Sequence, residues 1–188
     1  DDLSLLAECD LVIEAVIEDL EIKQDLYRRV DTARKPGSIV TSNTSTIPLA
    51  KLVSGLPEGF ARDFAITHFF NPPRYLRLLE VVAGAHTRAD AITSLQVFGD
   101  RALGKSVVQC KDTPGFIANR IGILWTTSAI RFAFEDQLSV EEADAIVGRP
   151  MGIPKTGVFG LMDLVGIDLQ PHVSASMLSS LPEQDMFR

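Results

Sequence analysis

Several things are scarce in this sequence, and each scarcity excludes a class of function. Its 188 residues hold two cysteines, Cys9 and Cys110, too few for the disulfide framework of a small secreted domain. Both stand in or beside apolar strand-like runs, which reads as free thiols buried in a reducing compartment. No stretch approaches the roughly 20 apolar residues of a membrane-spanning helix, and no charged-then-apolar secretion signal opens the chain. A soluble intracellular protein with no membrane partner is expected. Basic residues are in deficit: 18 Lys and Arg against 25 Asp and Glu leave a net charge of −7. A polyanion-binding surface, and with it a nucleic-acid partner, is therefore not expected. No metal site is expected either.

What is present is enough apolar residue, 46% of the chain, to bury a real core. Residues 9–17, CDLVIEAVI, form a continuous apolar run of the kind found in parallel strands buried on both faces. Asp19 is placed to cap the helix that follows, with Glu21 in its first turn, and Pro36-Gly37 breaks the chain after it. Ser38–Ser42 reads as a strand, Pro48–Ser54 as a short helix, and Ala61–Phe70 and Leu76–Val82 as two more strands. Thr87–Leu103 reads as a helix closed by Gly104, and Ser106–Gln109 as a last short strand. Strand and helix alternate, which predicts a mostly parallel α/β sheet.

At Asp112 the pattern becomes helical. Ile117, Ile121, Leu124, Trp125 and Phe132 recur at three- and four-residue steps. Thr113 is placed as a helix cap with Pro114 at the first position. Ser139 with Glu142 spells a capping box for the next helix. Met151–Gly157 reads as a loop and Val158–Leu178 as broken helix. We place the domain boundary near Lys111, giving residues 1–110 and 111–188.

The chemistry concentrates in His68-Phe69-Phe70-Asn71-Pro72-Pro73, with Glu80 twelve positions after the histidine. The two prolines end the first strand, since proline offers no N–H to a ladder. A chain that leaves one strand and enters the next over this span can return a carboxylate to the imidazole. A carboxylate on one ring nitrogen fixes the tautomer and raises the basicity of the other, which makes a general base. The plainer alternative is a strand-end histidine beside a solvated glutamate. Three further segments accompany the pair: Val12-Ile13-Glu14-Ala15-Val16-Ile17-Glu18-Asp19, Ser42-Asn43-Thr44-Ser45-Thr46, and Lys111-Asp112-Thr113-Pro114-Gly115-Phe116-Ile117-Ala118-Asn119-Arg120. In this order and near this spacing, the four segments resemble the L-3-hydroxyacyl-CoA dehydrogenase family, from about Leu3 to about Val173. The segment from Ser45 to His68 is about two residues longer than is usual in that family.

The resemblance implies the C-terminal half of a Rossmann-like NAD-binding sheet followed by a helical domain for dimerisation and substrate. It implies oxidation of the 3-hydroxyl of an acyl-CoA, with hydride passing to NAD, in fatty-acid β-oxidation or butanoate metabolism. His68 then matches the base and Glu80 the carboxylate that orients it. Ser45 matches a serine touching both substrate oxygen and cofactor, and Asn119 an asparagine at the substrate carbonyl. Glu18 and Lys23 match contacts to the cofactor's ribose and phosphate, and Asn71 a cofactor contact at the nicotinamide ribose. Each has a plainer reading: a turn-forming Ser45, a solvated Asn119 in a first helical turn, a solvated Glu18 and Lys23 at a helix end. Glu14 interrupts an apolar strand and receives no role. His86 and His172 read as surface or structural. A homodimer through the helical domain is implied, in bacterial cytoplasm or mitochondrial matrix.

Two other readings stand beside this one: a neighbouring β-hydroxyacid or sugar-nucleotide dehydrogenase, and a non-catalytic structural or dimerising relative. The sequence holds no G-x-G-x-x-G turn, whose N–H groups would hold a dinucleotide pyrophosphate. We therefore expect a fragment of a longer enzyme, itself unable to turn over. Comparable NADH consumption by the 188-residue chain and by the full-length protein would overturn that expectation.

Overall fold

Where apolar β-branched and aromatic residues run without interruption, the chain forms the central strands of one sheet. The computed structural model describes residues 2–152, 155–167, 175, 181 and 183–185, and the chain divides into two units, residues 1–116 and 117–188. In the first unit β1 (Leu11–Glu14), β2 (Ile39–Ser42), β3 (Phe64–Phe69), β4 (Leu78–Ala83) and β5 (Ser106–Cys110) lie side by side in sequence order. β1, β2 and β3 are mutually parallel, β3 and β4 are antiparallel, and β5 runs parallel to β4. The expected α/β class, with a mostly parallel sheet, is observed.

Helices cover both faces. α1 (Leu20–Ala33) starts where Asp19 Oδ1 accepts the Ile22 N–H at 3.0 Å, the cap expected from sequence. With α2 (Leu49–Leu52) and α3 (Glu58–Asp63) it buries Tyr27, Leu52, Phe60, Phe64, Ile66 and Val82 on one face. α4 (Ala89–Val97) packs Ile92 and Leu95 on Ala65, Leu79 and Val81 of the other face. It continues as a wider π turn over Phe98–Ala102. There Gly99 lets the backbone approach the sheet, because a Cβ would stand 2.8 Å from Val107 Cγ2.

Several boundaries differ from the sequence reading. The 9–17 run is strand only over Leu11–Glu14, and Ile13 and Ile17 are exposed. β1 is an edge of the described sheet, and the exposed Ile13 shows that it is not buried on both faces. Ala61–Asp63 belong to the end of α3 rather than to a strand, with Glu58 in that helix's first turn and Arg62 in its last. Thr113 does not cap a helix: its carbonyl accepts the Phe116 N–H in a tight turn, and Gly115 and Phe116 have positive φ values of 73° and 46°. That left-handed pair delays α5 to Ala118–Glu135.

In the second unit α6 (Val140–Ile146) carries the Ser139–Glu142 capping box as expected. α7 (Gly157–Val165) starts on Asp144 of α6, whose carboxylate accepts the N–H groups of Phe159 and Gly160 at 2.7 and 2.9 Å. α7 stops at Gly166, and most of the helix expected beyond it, with His172, lies outside the described residues. Among the described residues no helix is long and apolar enough to cross a membrane.

The rim where β2 and β3 begin is locked by ions. Asp63 accepts from Arg34 Nη1 at 2.8 Å and from Arg88 Nε at 2.7 Å. The same two arginines donate to the carbonyls of Ser38 and Gly37. Burial raises the Asp63 carboxyl, and the two guanidinium groups outweigh it, so it titrates below its ordinary 3.8. Asp63→Asn should lower stability by about 2 kcal/mol, the scale of a charged hydrogen bond. Because the folded-state value is depressed, the difference between wild type and variant is present above pH 3.8 and closes as pH falls through the lower folded value. Thermal melts of both proteins across the acid range check it.

Candidate active site

The antiparallel register sets His68 directly opposite Glu80, so both side chains leave the same face of the sheet. His68 Nδ1 lies 2.8 Å from Glu80 Oε2. Both groups are buried, at 4% and 1% exposure. An ionised Glu80 can only accept, so the hydrogen sits on Nδ1 and Nε2 is left as the basic nitrogen. Phe70 and Phe116 flank the ring, their centroids 4.5 and 5.6 Å away. Behind Glu80 stands Cys110 at the end of β5. Burial first, and then the charge and hydrogen bonding of Glu80, push its thiol up to about 11.

Ser45 Oγ lies 3.1 Å from His68 Nε2, on the loop that follows β2. Glu18 organises that loop. Its Oε1 accepts the N–H groups of Ser45 and Thr46 at 3.0 and 3.1 Å and the Thr44 hydroxyl at 2.5 Å. Burial pushes the Glu18 carboxyl up, but the Thr44 hydroxyl, the Thr46 N–H, the charge of Lys23 and the Ser45 N–H outweigh it, and the net shift is downward. Asn43 Oδ1 accepts the Phe69 N–H at 2.9 Å, tying the end of β2 to the end of β3.

The structure thus brings Glu18, Lys23, Ser45, His68 and Glu80 together at the rim where β1, β2 and β3 end. Asn71 is exposed on the β3–β4 loop, next to the cis Asn71–Pro72 peptide. Asn119 stands in the first turn of α5, in the other unit. Lys23 departs from expectation. It is buried to 1% exposure, with its ammonium on Glu14 Oε1 at 2.7 Å, the Val16 carbonyl at 3.2 Å and Glu18 Oε2 at 3.4 Å. All three donors have protein partners, so this lysine holds Glu18 from behind instead of reaching outward.

Residue by residue, the 1–116 unit carries a buried histidine–carboxylate pair with a serine on the other ring nitrogen. Comparison with known proteins names the lineage. The model of the 3-hydroxyacyl-CoA dehydrogenase NAD binding domain matches residues 1–113, and that of the 3-hydroxyacyl-CoA dehydrogenase C-terminal domain matches residues 115–188. The chain belongs to the 3-hydroxyacyl-CoA dehydrogenase family. A Rickettsia prowazekii protein, whose name describes a fatty acid oxidation complex trifunctional enzyme, is 44% identical over 184 residues, 98% of this chain and 26% of its own length. Human mitochondrial hydroxyacyl-coenzyme A dehydrogenase is 37% identical over 168 residues, 89% of this chain and 52% of its own. The crystal structure of M. tuberculosis FadB2 superposes with a TM-score of 0.88 at 33% identity, over 97% of this chain and 64% of that one. The Escherichia coli 3-hydroxybutyryl-CoA dehydrogenase structure gives 0.85 at 33% identity, over 100% and 39%. The chain therefore spans about a quarter of the Rickettsia relative and about half of the human one.

Four residues that shape this dehydrogenase-family site escaped the sequence reading. Asn43 and Cys110 carried no signal of their own. Lys105, almost fully buried, donates to the carbonyls of Pro73 and Leu76 and so holds the β3–β4 loop. Glu14 did carry a signal: a carboxylate inside an apolar strand must be paired to stay there.

The thiol of Cys110 supplies a chemical check on how closed the back of the site is. With that group near 11, about one part in a thousand is thiolate at pH 8. Iodoacetamide at pH 8 should label the partly exposed Cys9 well before Cys110. Equal rates, read by mass spectrometry of the two peptides, would contradict the packing around Glu80.

Proposed function

We propose that this chain carries the catalytic base of an enzyme that oxidises the 3-hydroxyl of an L-3-hydroxyacyl-CoA to the 3-oxo thioester. The observation that carries the reading is the Ser45–His68–Glu80 relay, with contacts of 3.1 and 2.8 Å, in a chain matched from end to end by the family's two domain models.

The residues at the rim fit the nicotinamide and ribose end of NAD. Glu18 is an ionised, partly exposed acceptor for ribose hydroxyls, Asn71 is exposed on the loop after β3, and Ser45 binds Glu18 through its N–H and His68 through its hydroxyl. When bound, NAD supplies the acceptor for the hydride. His68 Nε2 removes the hydroxyl proton. Glu80, held against Nδ1, stabilises the imidazolium that forms. Ser45 donates to the reacting oxygen once substrate displaces it from Nε2. Asn119 offers an amide donor for the carbonyl side of the substrate.

We further assign the protein to a homodimer built on the helical unit, supported by the exposed Ile121, Phe132 and Phe134 of α5. The compartment is bacterial cytoplasm or mitochondrial matrix, in keeping with bacterial and mitochondrial relatives.

The test is NADH consumption with acetoacetyl-CoA by the full-length protein. His68→Ala should lose about 10²-fold or more in kcat, within the range of a general acid–base. Glu80→Gln, which keeps the shape but not the charge, should fall similarly with little change in KM. Absence of turnover by wild type would instead favour a non-catalytic, dimerising role for the fold.

A further inference from the structure

Glu14 has no part in the chemistry above, yet it is buried and held on every side. It ends β1 at 5% exposure. Oε1 accepts the Lys23 ammonium at 2.7 Å and the Val16 N–H at 2.6 Å. Oε2 accepts the Tyr27 hydroxyl at 2.6 Å and the Ser42 hydroxyl at 2.7 Å. Four donors fill the four lone-pair sites of the carboxylate, which cannot rotate without losing a partner.

Two branches run from this carboxylate to the catalytic loop. In the first, Lys23 bridges Glu14 to Glu18, and Glu18 Oε1 holds the N–H of Ser45. In the second, Ser42 donates its proton to Glu14, so its lone pairs face outward and accept the Thr44 N–H at 3.2 Å. Both branches converge on the loop that carries Ser45. Resting on the reading of His68 as base, we propose that Glu14 is a positioning residue, acting through Lys23 and Ser42 to hold Ser45 Oγ against His68 Nε2. Glutamine in its place would point an amide NH₂ or a neutral oxygen at hydroxyl and ammonium donors. Lys23 would then draw Glu18 off the loop as its remaining counter-ion.

The experiment is a double-mutant cycle in the full-length protein, crossing Glu14→Gln with Ser45→Ala. It reads kcat with acetoacetyl-CoA and NADH, and the nitrogen-15 shift of the His68 ring. Glu14→Gln should lower kcat about tenfold in the wild-type background and hardly at all once Ser45 is alanine. The Nε2 shift should move in the direction that Ser45→Ala moves it. Ser42→Ala, which leaves the Lys23 ion pair intact, reports the second branch alone if Glu14→Gln does not fold, with the same non-additivity expected. Equal loss of kcat in both backgrounds, or an Nε2 shift that stays at its wild-type value, overturns the proposal and leaves Glu14 a stabilising residue only. If wild type consumes no NADH while the shift follows Ser45→Ala, the base reading fails and the positioning role stands.

Discussion

The site depends on one pairing, that of β3 with β4. Register in a sheet is unforgiving, since a slip by one residue turns every side chain to the opposite face. Here the antiparallel register that buries Ile66 against Val82 also sets His68 opposite Glu80. The apolar residues specify the alignment, and the imidazole and carboxylate inherit it. The parallel neighbours add the rest: β1 ends in Glu14, β2 runs into Ser45, and β5 closes the back with Cys110.

The proposed base needs its charged partner dry and its reactive nitrogen reachable. The structure meets both demands by depth. Glu80 lies beneath the ring, among Cys110 and the strands, while Ser45 occupies the outer nitrogen. The carboxylates divide the work. Glu80 holds the imidazole, and Glu18 gathers a run of loop N–H groups much as an anion sits in a backbone nest.

Legibility in the sequence followed periodicity and punctuation. The strand cores, the Asp19 cap and the Ser139–Glu142 box could be read because each is a local rule with a local partner. The His68–Glu80 contact could be read because two prolines and twelve residues bracket a single turn-back. The start of α5 could not, since Thr113-Pro114 spells a helix start while Gly115 and Phe116 adopt left-handed backbone that postpones it. Nor could α3, whose last three residues, Ala61–Asp63, lead straight into the apolar run of β3. The burial of Lys23 was hidden for a subtler reason. A lysine next to a candidate cofactor carboxylate looks outward in one dimension, and only the fold shows that Glu14 waits underneath.

The Asp63 cluster and the His68 relay occupy opposite ends of β3, five residues or about 16 Å apart at 3.3 Å per residue. Sites that far apart with no shared partner combine their effects additively. Stability and site geometry in this domain are therefore separately adjustable: a change at the arginine-locked rim and a change in the serine loop can accumulate without one undoing the other.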